Sequence, residues 1–173
     1  TILRRQGPGI QELKRYNTKD TMVLTGHVSL ELNEWESYQA CCVDNIGIGL
    51  GVFNRLRELG HSKVFAVDVR GVARNQDKFV KLRDELWWKL RERFEERSIS
   101  IPNDDDLIGQ LSIIKWRPES DGRTKIESKE DMRKRGIDSP NDADALMMTM
   151  FINDSAYRRP REWDDEYEEA YQR

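Results

Sequence analysis

The chain has 173 residues, a length that suits one domain, and its charged (35%) and hydrophobic (37%) residues are grouped into separate segments, which excludes an intrinsically disordered chain. The net charge of −3 argues at first against a nucleic-acid partner, but without the acidic stretch from Asp154 onward basic and acidic residues balance at 25 each. No apolar segment approaches the roughly 20 residues of a membrane span, so we expect no membrane contact and a cytoplasmic protein.

The first elements predicted are a β-hairpin and a helix. Residues 1–5 and 10–16 flank the turn sequence Gly-Pro-Gly, a pattern typical of two antiparallel strands. Thr18 or Asp20 can cap a following helix whose apolar residues recur at helical spacing as far as Trp35.

A β-α-β unit is predicted next. Residues 38–43 form a short buried strand, a helix follows the sequence GIGLG, and Gly60 ends that helix before a second strand at residues 64–69. A long helix is then predicted over residues 77–97, with apolar side chains on one side and charged side chains on the other.

The remaining pattern predicts a helix start, a basic hairpin and a last helix. Three acids at 104–106 indicate a helix start, because negative charge stabilises that end of a helix. Asp121 and Gly122 lie between two extended runs, which favours a hairpin. Ser139 as N-cap and Pro140 as first residue begin the last helix, and residues 154–173 form an acidic tail.

Alternating strands and helices after an antiparallel start predict an α/β domain with a mixed sheet flanked by helices, over residues 1–153. Asp44 ends one strand at the edge where such sheets bind ligands. Asp144 lies one turn inside the last helix, and Asn141 lies three residues earlier on the same face. These residues predict a divalent-metal site and phosphodiester cleavage. Asp142 lies on another face and is expected at the surface.

Simpler explanations exist for both acids. Asp44 can cap the helix that follows it, and Asp144 can be an acid favoured by the helix dipole. Positive charge clusters at residues 70–83 and again at 117–135, and such clusters are often ordinary solvated surface. We consider Arg70, Arg74, Lys125 and Lys129 as candidate contacts to DNA phosphates, with binding independent of sequence.

Three segments, in order, resemble the C-terminal nuclease domain of the large terminase subunit of tailed bacteriophages: CCVDNIGIGLGVFNRLRELG, FVKLRDELWWKLRERF and KIESKEDMRKRGIDSPNDADAL. The resemblance covers roughly residues 1–151. It implies a ribonuclease-H-like fold that cuts concatemeric double-stranded DNA during genome packaging, with two Mg²⁺ or Mn²⁺ ions held by acids. It also implies the terminase ATPase domain, the small terminase subunit and the portal as partners, in the host cytoplasm.

By this resemblance, Asp44 matches the family's second metal-binding acid and Asp144 the acid on the last helix, while Asn141 stands where relatives carry another acid or a His. The first acid and its central strand would precede Thr1, so the fold is expected to lack its first strand. We therefore expect impaired cleavage, and residues 1–173 alone to be weakly stable or to associate through exposed strand edges.

Two other functions are compatible with the sequence. A domain without the first acid can be a non-catalytic remnant that binds DNA or a packaging partner. The order strand, GIGLG, helix, strand and then Asp68 also resembles a dinucleotide-binding unit, although Val52 occupies the third glycine position and Asp44 would repel a pyrophosphate.

Overall fold

Strands and helices alternate along the chain in the computed structural model, which describes residues 1–35 and 37–152. The acidic tail predicted for residues 154–173, and with it the predicted domain boundary at 153, lies outside these residues. Within them, no helix is long and apolar enough to cross a membrane. The elements are β1 (Ile2–Gln6), β2 (Gly9–Lys14), α1 (Thr21–Glu34), β3 (Cys41–Asp44), α2 (Gly49–Glu58), β4 (Val64–Val67), α3 (Leu82–Glu95), α4 (Asp105–Ser112), β5 (Trp116–Pro118), β6 (Thr124–Ile126), α5 (Lys129–Lys134), α6 (Asn141–Met148) and a 3₁₀ turn (Thr149–Phe151).

The strands pair as three two-stranded sheets. β1 and β2 form the predicted antiparallel hairpin, and β5 and β6 form the second one around the Asp-Gly turn, where Gly122 has a φ of 83°. β3 and β4 pair in parallel, with Asp44 opposite Val67, so the predicted β-α-β unit is confirmed. The predicted mixed α/β architecture is therefore correct, with helices packed beside small sheets.

A groove of about 950 Å³ runs between β1 and β3. Every residue of both strands lines it, whereas the face of a strand would contribute only every second residue. The groove is therefore bordered by the edges of the two strands, and among residues 1–35 and 37–152 β1 pairs as a strand with β2 and β3 with β4. Burial raises the pKa of Cys42 to about 11, so this thiol on the β3 edge stays neutral.

Two apolar clusters hold the layers together. The larger one joins α3, α4 and α6 to β4 through fully buried side chains such as Leu86, Leu107 and Leu146. The smaller one packs α1 against α2 around Val52 and Leu56. Helix α6 contributes three of its residues to the larger cluster and one more, Met148, at its end, which fixes the direction of its exposed side.

The long helix begins at Leu82, five residues later than the predicted start at 77. Residues before it are held by tertiary contacts: the Thr124 N–H donates to the Lys78 carbonyl, and Phe79 bridges to Thr124. The Asp84 side chain accepts from the Lys81 N–H at 2.9 Å and so closes the first turn at that position. These pairings override the apolar periodicity that predicted a longer helix.

The last helix differs from prediction at its first turn. Its N-cap is Pro140 and its first residue Asn141, so the predicted Ser139 cap is wrong by one residue. Pro140 has no side-chain acceptor, and the cap is supplied from α4, where Gln110 Oε1 accepts from the Asp142 and Ala143 N–H groups.

The expectation that Asp142 lies at the surface is also wrong, because its exposed fraction is 3%. Thr1 Oγ1, Arg15 Nε and Gln110 Nε2 all donate to its carboxylate, at 2.6, 2.8 and 3.1 Å. Burial by itself raises the pKa of Asp142, but these hydrogen bonds outweigh it and the pKa lies below its ordinary value. Asp142 thus joins the N-terminal hairpin and α4 to the start of α6.

We expect Asp142→Asn to lower the free energy of unfolding by about 2 kcal/mol at neutral pH, because charge-assisted hydrogen bonds are lost in a buried site. The depressed pKa means that this stabilisation is present above the ordinary carboxyl pKa and is lost as pH falls below about 4. Urea denaturation should therefore show a difference from wild type that shrinks at low pH. Asp138→Asn, at an exposed position just before the same helix, is the control and should change stability by less than about 0.5 kcal/mol.

Candidate functional site

Asp44 is placed by the turn that connects β3 to α2. Its Oδ1 accepts from the Ile46 N–H at 3.0 Å, two residues ahead, so the side chain folds back over the turn. The N-cap of α2 is Ile48, so the simpler explanation that Asp44 caps this helix is wrong. Gly49, the first residue of α2, lies against the Asp44 backbone: a Cβ built there would be 1.6 Å from the Asp44 carbonyl oxygen. Glycine at 49 is therefore required for the strand to end beside the helix.

Asp144 lies in the first turn of α6 with 13% of its side chain exposed. Neither carboxylate oxygen accepts a hydrogen bond, although both are buried. A buried carboxylate without partners is costly unless cations surround it. Asp144 lines the groove, and its two oxygens accept no hydrogen bond but have cations at ion-pair distance. A divalent ion, which prefers carboxylate oxygens, could replace those cations, so Asp144 fits a metal ligand.

Two cations flank Asp144. Lys129 Nζ, from the start of α5, lies 2.7 Å from Oδ2 but outside hydrogen-bond geometry, and 43% of its side chain is exposed. Arg83 Nη2, from the first turn of α3, lies 3.9 Å from Oδ1 and its side chain is 12% exposed. Burial lowers the pKa of Arg83, against the attraction of Asp144, Asp84 and Glu127.

Asp44 and Asp144 both line the groove between β1 and β3 and feel each other's charge. Burial is the main cause that raises the pKa of Asp44, and repulsion by Asp144 and Asp68 adds to it. The Ile46 N–H and the charge of Lys129 act in the opposite direction. Across residues 1–35 and 37–152, acids, cysteines and histidines nowhere gather as three potential metal ligands, so the candidate site has two carboxylates.

The other candidate residues differ in whether they line the groove or pair with groups elsewhere in the chain. Asn141 is exposed and lines the same groove as the two acids. Arg70 pairs with Asp68 at 3.3 Å, and Lys125 pairs with Glu119 at 3.1 Å on the basic hairpin. The Arg74 side chain donates to the Phe151 carbonyl and lies over the ring of that residue, so it is engaged within the chain. Lys129 is the cation among the four that reaches the acids.

Arg83 is the residue that sequence reasoning missed. It follows Leu82 and precedes two acids, so it was assigned to the solvated side of the long helix. The available signal was its position one residue from the apolar stripe of Leu82 and Leu86, at the start of a helix.

The glycines that suggested a dinucleotide site have a packing explanation. Gly47 has a φ of 66°, which favours glycine, and Gly49 allows α2 to touch the end of β3. Both therefore serve the turn that presents Asp44, and no phosphate ligand is needed to explain them.

We expect Gly49→Ala to destabilise the protein by about 3 kcal/mol or to prevent folding, because the added Cβ collides with backbone that cannot move alone. Gly26→Ala is the matched control, since Gly26 lies in α1 with open space around its Cβ position. That change should stabilise the protein by about 0.5–1 kcal/mol. If Gly49→Ala and Gly26→Ala changed stability equally, as measured by thermal and urea denaturation, this account of the β3–α2 turn would be wrong.

No protein-family model and no curated protein matches the sequence. Solved structures of the nuclease domain of the large terminase subunit of bacterial virus Sf6 do match in fold. A mutant form with manganese aligns with a TM-score of 0.72 at 19% identity, covering 87% of this chain and 82% of that one. The same domain without a mutation gives 0.70 at 20% identity, and a mutant form with calcium gives 0.70 at 19%, each covering 87% of this chain and 81% of the other. The chain therefore has the fold of the nuclease domain of a phage large terminase subunit.

Proposed function

We propose that this chain is the nuclease part of a tailed-phage large terminase subunit, a divalent-metal-dependent endonuclease acting on double-stranded DNA. The observation that supports this most is the placement of Asp44 and Asp144 along one groove, with both oxygens of Asp144 buried and free of hydrogen bonds. The fold similarity to the Sf6 domain supports the family, and the manganese and calcium in those structures support a divalent ion.

In this proposal Asp44, Asp144 and Asn141, which all line the groove, hold Mg²⁺ or Mn²⁺, two ions in the complete site. When bound, such ions activate a water and stabilise the leaving oxygen of an in-line displacement. The chain's own residues place the carboxylates: the β3–α2 turn directs Asp44, and the capped start of α6 directs Asp144. Lys129 and Lys125 then bind backbone phosphates, with Arg70 and Arg74 beyond them, so that DNA is held without reading its sequence.

The groove between β1 and β3 supports the expectation of a missing central strand. An extended segment entering it could pair with the groove-side edges of β1 and β3 and join two sheets, separate among the described residues, into one. We infer that this segment brings the family's first acid beside Asp44. The substrate would be concatemeric viral DNA in the host cytoplasm, and the terminase ATPase domain, the small subunit and the portal would be partners.

A second candidate function is binding without cleavage, to DNA or to a packaging partner. It is favoured by the charge of the site among the described residues: two cations, Arg83 and Lys129, already neutralise two acids. Three carboxylates would be expected to hold two dications better than two.

Lys129→Ala should separate the two roles of that lysine. Removing it frees Asp144 Oδ2, so Mn²⁺ should bind about two- to fivefold tighter, the size expected for a half-exposed ion pair. Duplex DNA should bind more weakly, and the slope of log affinity against log salt concentration should decrease by about one, the value for one lost phosphate contact. Mn²⁺ electron paramagnetic resonance and fluorescence anisotropy measure the two effects. Lys134→Ala, an exposed lysine on the same helix, should leave Mn²⁺ binding unchanged.

The cleavage proposal is tested on supercoiled plasmid with the first acid restored on a strand ahead of Thr1. We expect nicking and linearisation with little sequence preference in Mg²⁺ or Mn²⁺. Asp44→Asn should abolish both while leaving the fold intact, because Asn keeps the shape and removes the charge that holds the metal. Cleavage that survives Asp44→Asn, with Asp138→Asn as the control, would assign the chemistry to other residues.

A further inference from the structure

Two acids and two cations make up the centre of the charge cluster at Asp144. Asp84 and Glu127 also attract Arg83, and Glu127 is itself paired with Arg135. Asp44 and Asp144 contribute two negative charges, and Lys129 and Arg83 contribute two positive charges. The two cations differ in freedom, since 43% of the Lys129 side chain is exposed against 12% for Arg83. Lys129 can therefore swing away from the acids when another cation or a phosphate arrives, whereas Arg83 cannot follow.

Arg83 is held by two hydrogen bonds of its own and by one of its neighbour. Its Nη1 donates to the Glu127 carbonyl at 2.7 Å, and its backbone N–H donates to the Val69 carbonyl at 2.9 Å. The neighbouring Asp84 accepts from the Ile126 N–H, which fixes the same segment to the helix. A guanidinium remains charged under all ordinary conditions, so this positive charge is permanent.

We propose that Arg83 is a positioning residue that acts through Asp144 as a fixed counter-charge, keeping metal affinity low until DNA phosphates enter the site. Metal and DNA then bind cooperatively, because each phosphate adds negative charge beside the fixed positive charge of Arg83. Linkage makes the effect reciprocal: DNA strengthens metal binding by the same factor as metal strengthens DNA binding. This inference rests on the proposed function, since it assumes that Asp44 and Asp144 are the metal ligands.

The size of the effect follows from the distances. Arg83 Nη2 lies 3.9 Å from Asp144 Oδ1. An ion bound to that oxygen at about 2.2 Å would lie no more than roughly 6 Å from the guanidinium nitrogen. At that separation, repulsion between a unit charge and a dication corresponds to about tenfold in affinity even at the dielectric constant of water, and to more in a partly buried site.

The test measures Mn²⁺ affinity by electron paramagnetic resonance at fixed ionic strength, with and without a short DNA duplex. Arg83→Gln removes the charge but keeps an N–H donor for the Glu127 carbonyl, and Arg83→Lys keeps the charge. We expect wild type and Arg83→Lys to bind Mn²⁺ weakly alone and at least about tenfold tighter with duplex. Arg83→Gln should bind Mn²⁺ about tenfold tighter without DNA and gain less from DNA. Arg91→Gln, on the same helix and stacked on Trp88, should behave as wild type.

Several results would overturn the proposal. If Arg83→Gln and Arg83→Lys change Mn²⁺ affinity alike, Arg83 acts through its hydrogen bond to Glu127 and its charge is irrelevant. Unchanged or weaker Mn²⁺ binding by Arg83→Gln also rejects it. If Arg83→Gln does not fold, Arg83→Met, which removes the charge and keeps a long side chain, takes its place: Mn²⁺ binding about tenfold tighter without DNA supports the proposal, and unchanged binding rejects it. Failure of the proposed function is distinguishable, because Asp44→Asn and Asp144→Asn would then leave Mn²⁺ binding unchanged.

Discussion

A carboxylate buried at the start of a helix is the constraint on which the rest of the site depends. Asp144 has no hydrogen-bond donor on either oxygen, and an isolated buried charge would be too costly for a protein of ordinary stability. The positive end of α6 compensates part of that cost, and Lys129 and Arg83 compensate more. The first turns of α6, α5 and α3 therefore have to lie next to one another, which fixes the three helices relative to each other.

Helix α6 can present a charged side to the groove because its opposite side is firmly attached. Asp142 and Asp144 are two residues apart, so they point about 200° apart around the helix axis. Asp142 faces Thr1, Arg15 and Gln110, which donate to it from the N-terminal hairpin and from α4. One acid thus anchors the helix through satisfied hydrogen bonds, while the other faces cations without a hydrogen bond on the groove side. These two aspartates have different roles because three groups donate hydrogen bonds to Asp142 and none does to Asp144.

Most of the elements were predictable because their signals are local. The hairpin glycines, the strand ending at Asp44 and the acids opening α4 each depend on residues within one turn or strand. The start of α3 was not predictable, since residues 77–81 are held by pairing with Thr124, more than 40 positions away in sequence. Asp142 and Arg83 were misassigned for the same reason: a charged residue beside an apolar stripe looks solvated until its distant partners are known. The cap supplied by Gln110 is likewise invisible without the fold.

The open groove links completion of the sheet to completion of the site. Backbone groups on the groove-side edges of β1 and β3 can bond to water while the groove is open, so an incoming strand exchanges water for ladder hydrogen bonds at modest net gain. Burial of the apolar lining, including Cys42 and Val43, would supply the larger share of the binding energy. Asp44 ends β3, so a segment that pairs with the whole β3 edge passes beside that acid. A carboxylate on such a segment would add negative charge to the groove that Asp144 also lines, and folding of the sheet and affinity for a dication would then rise together.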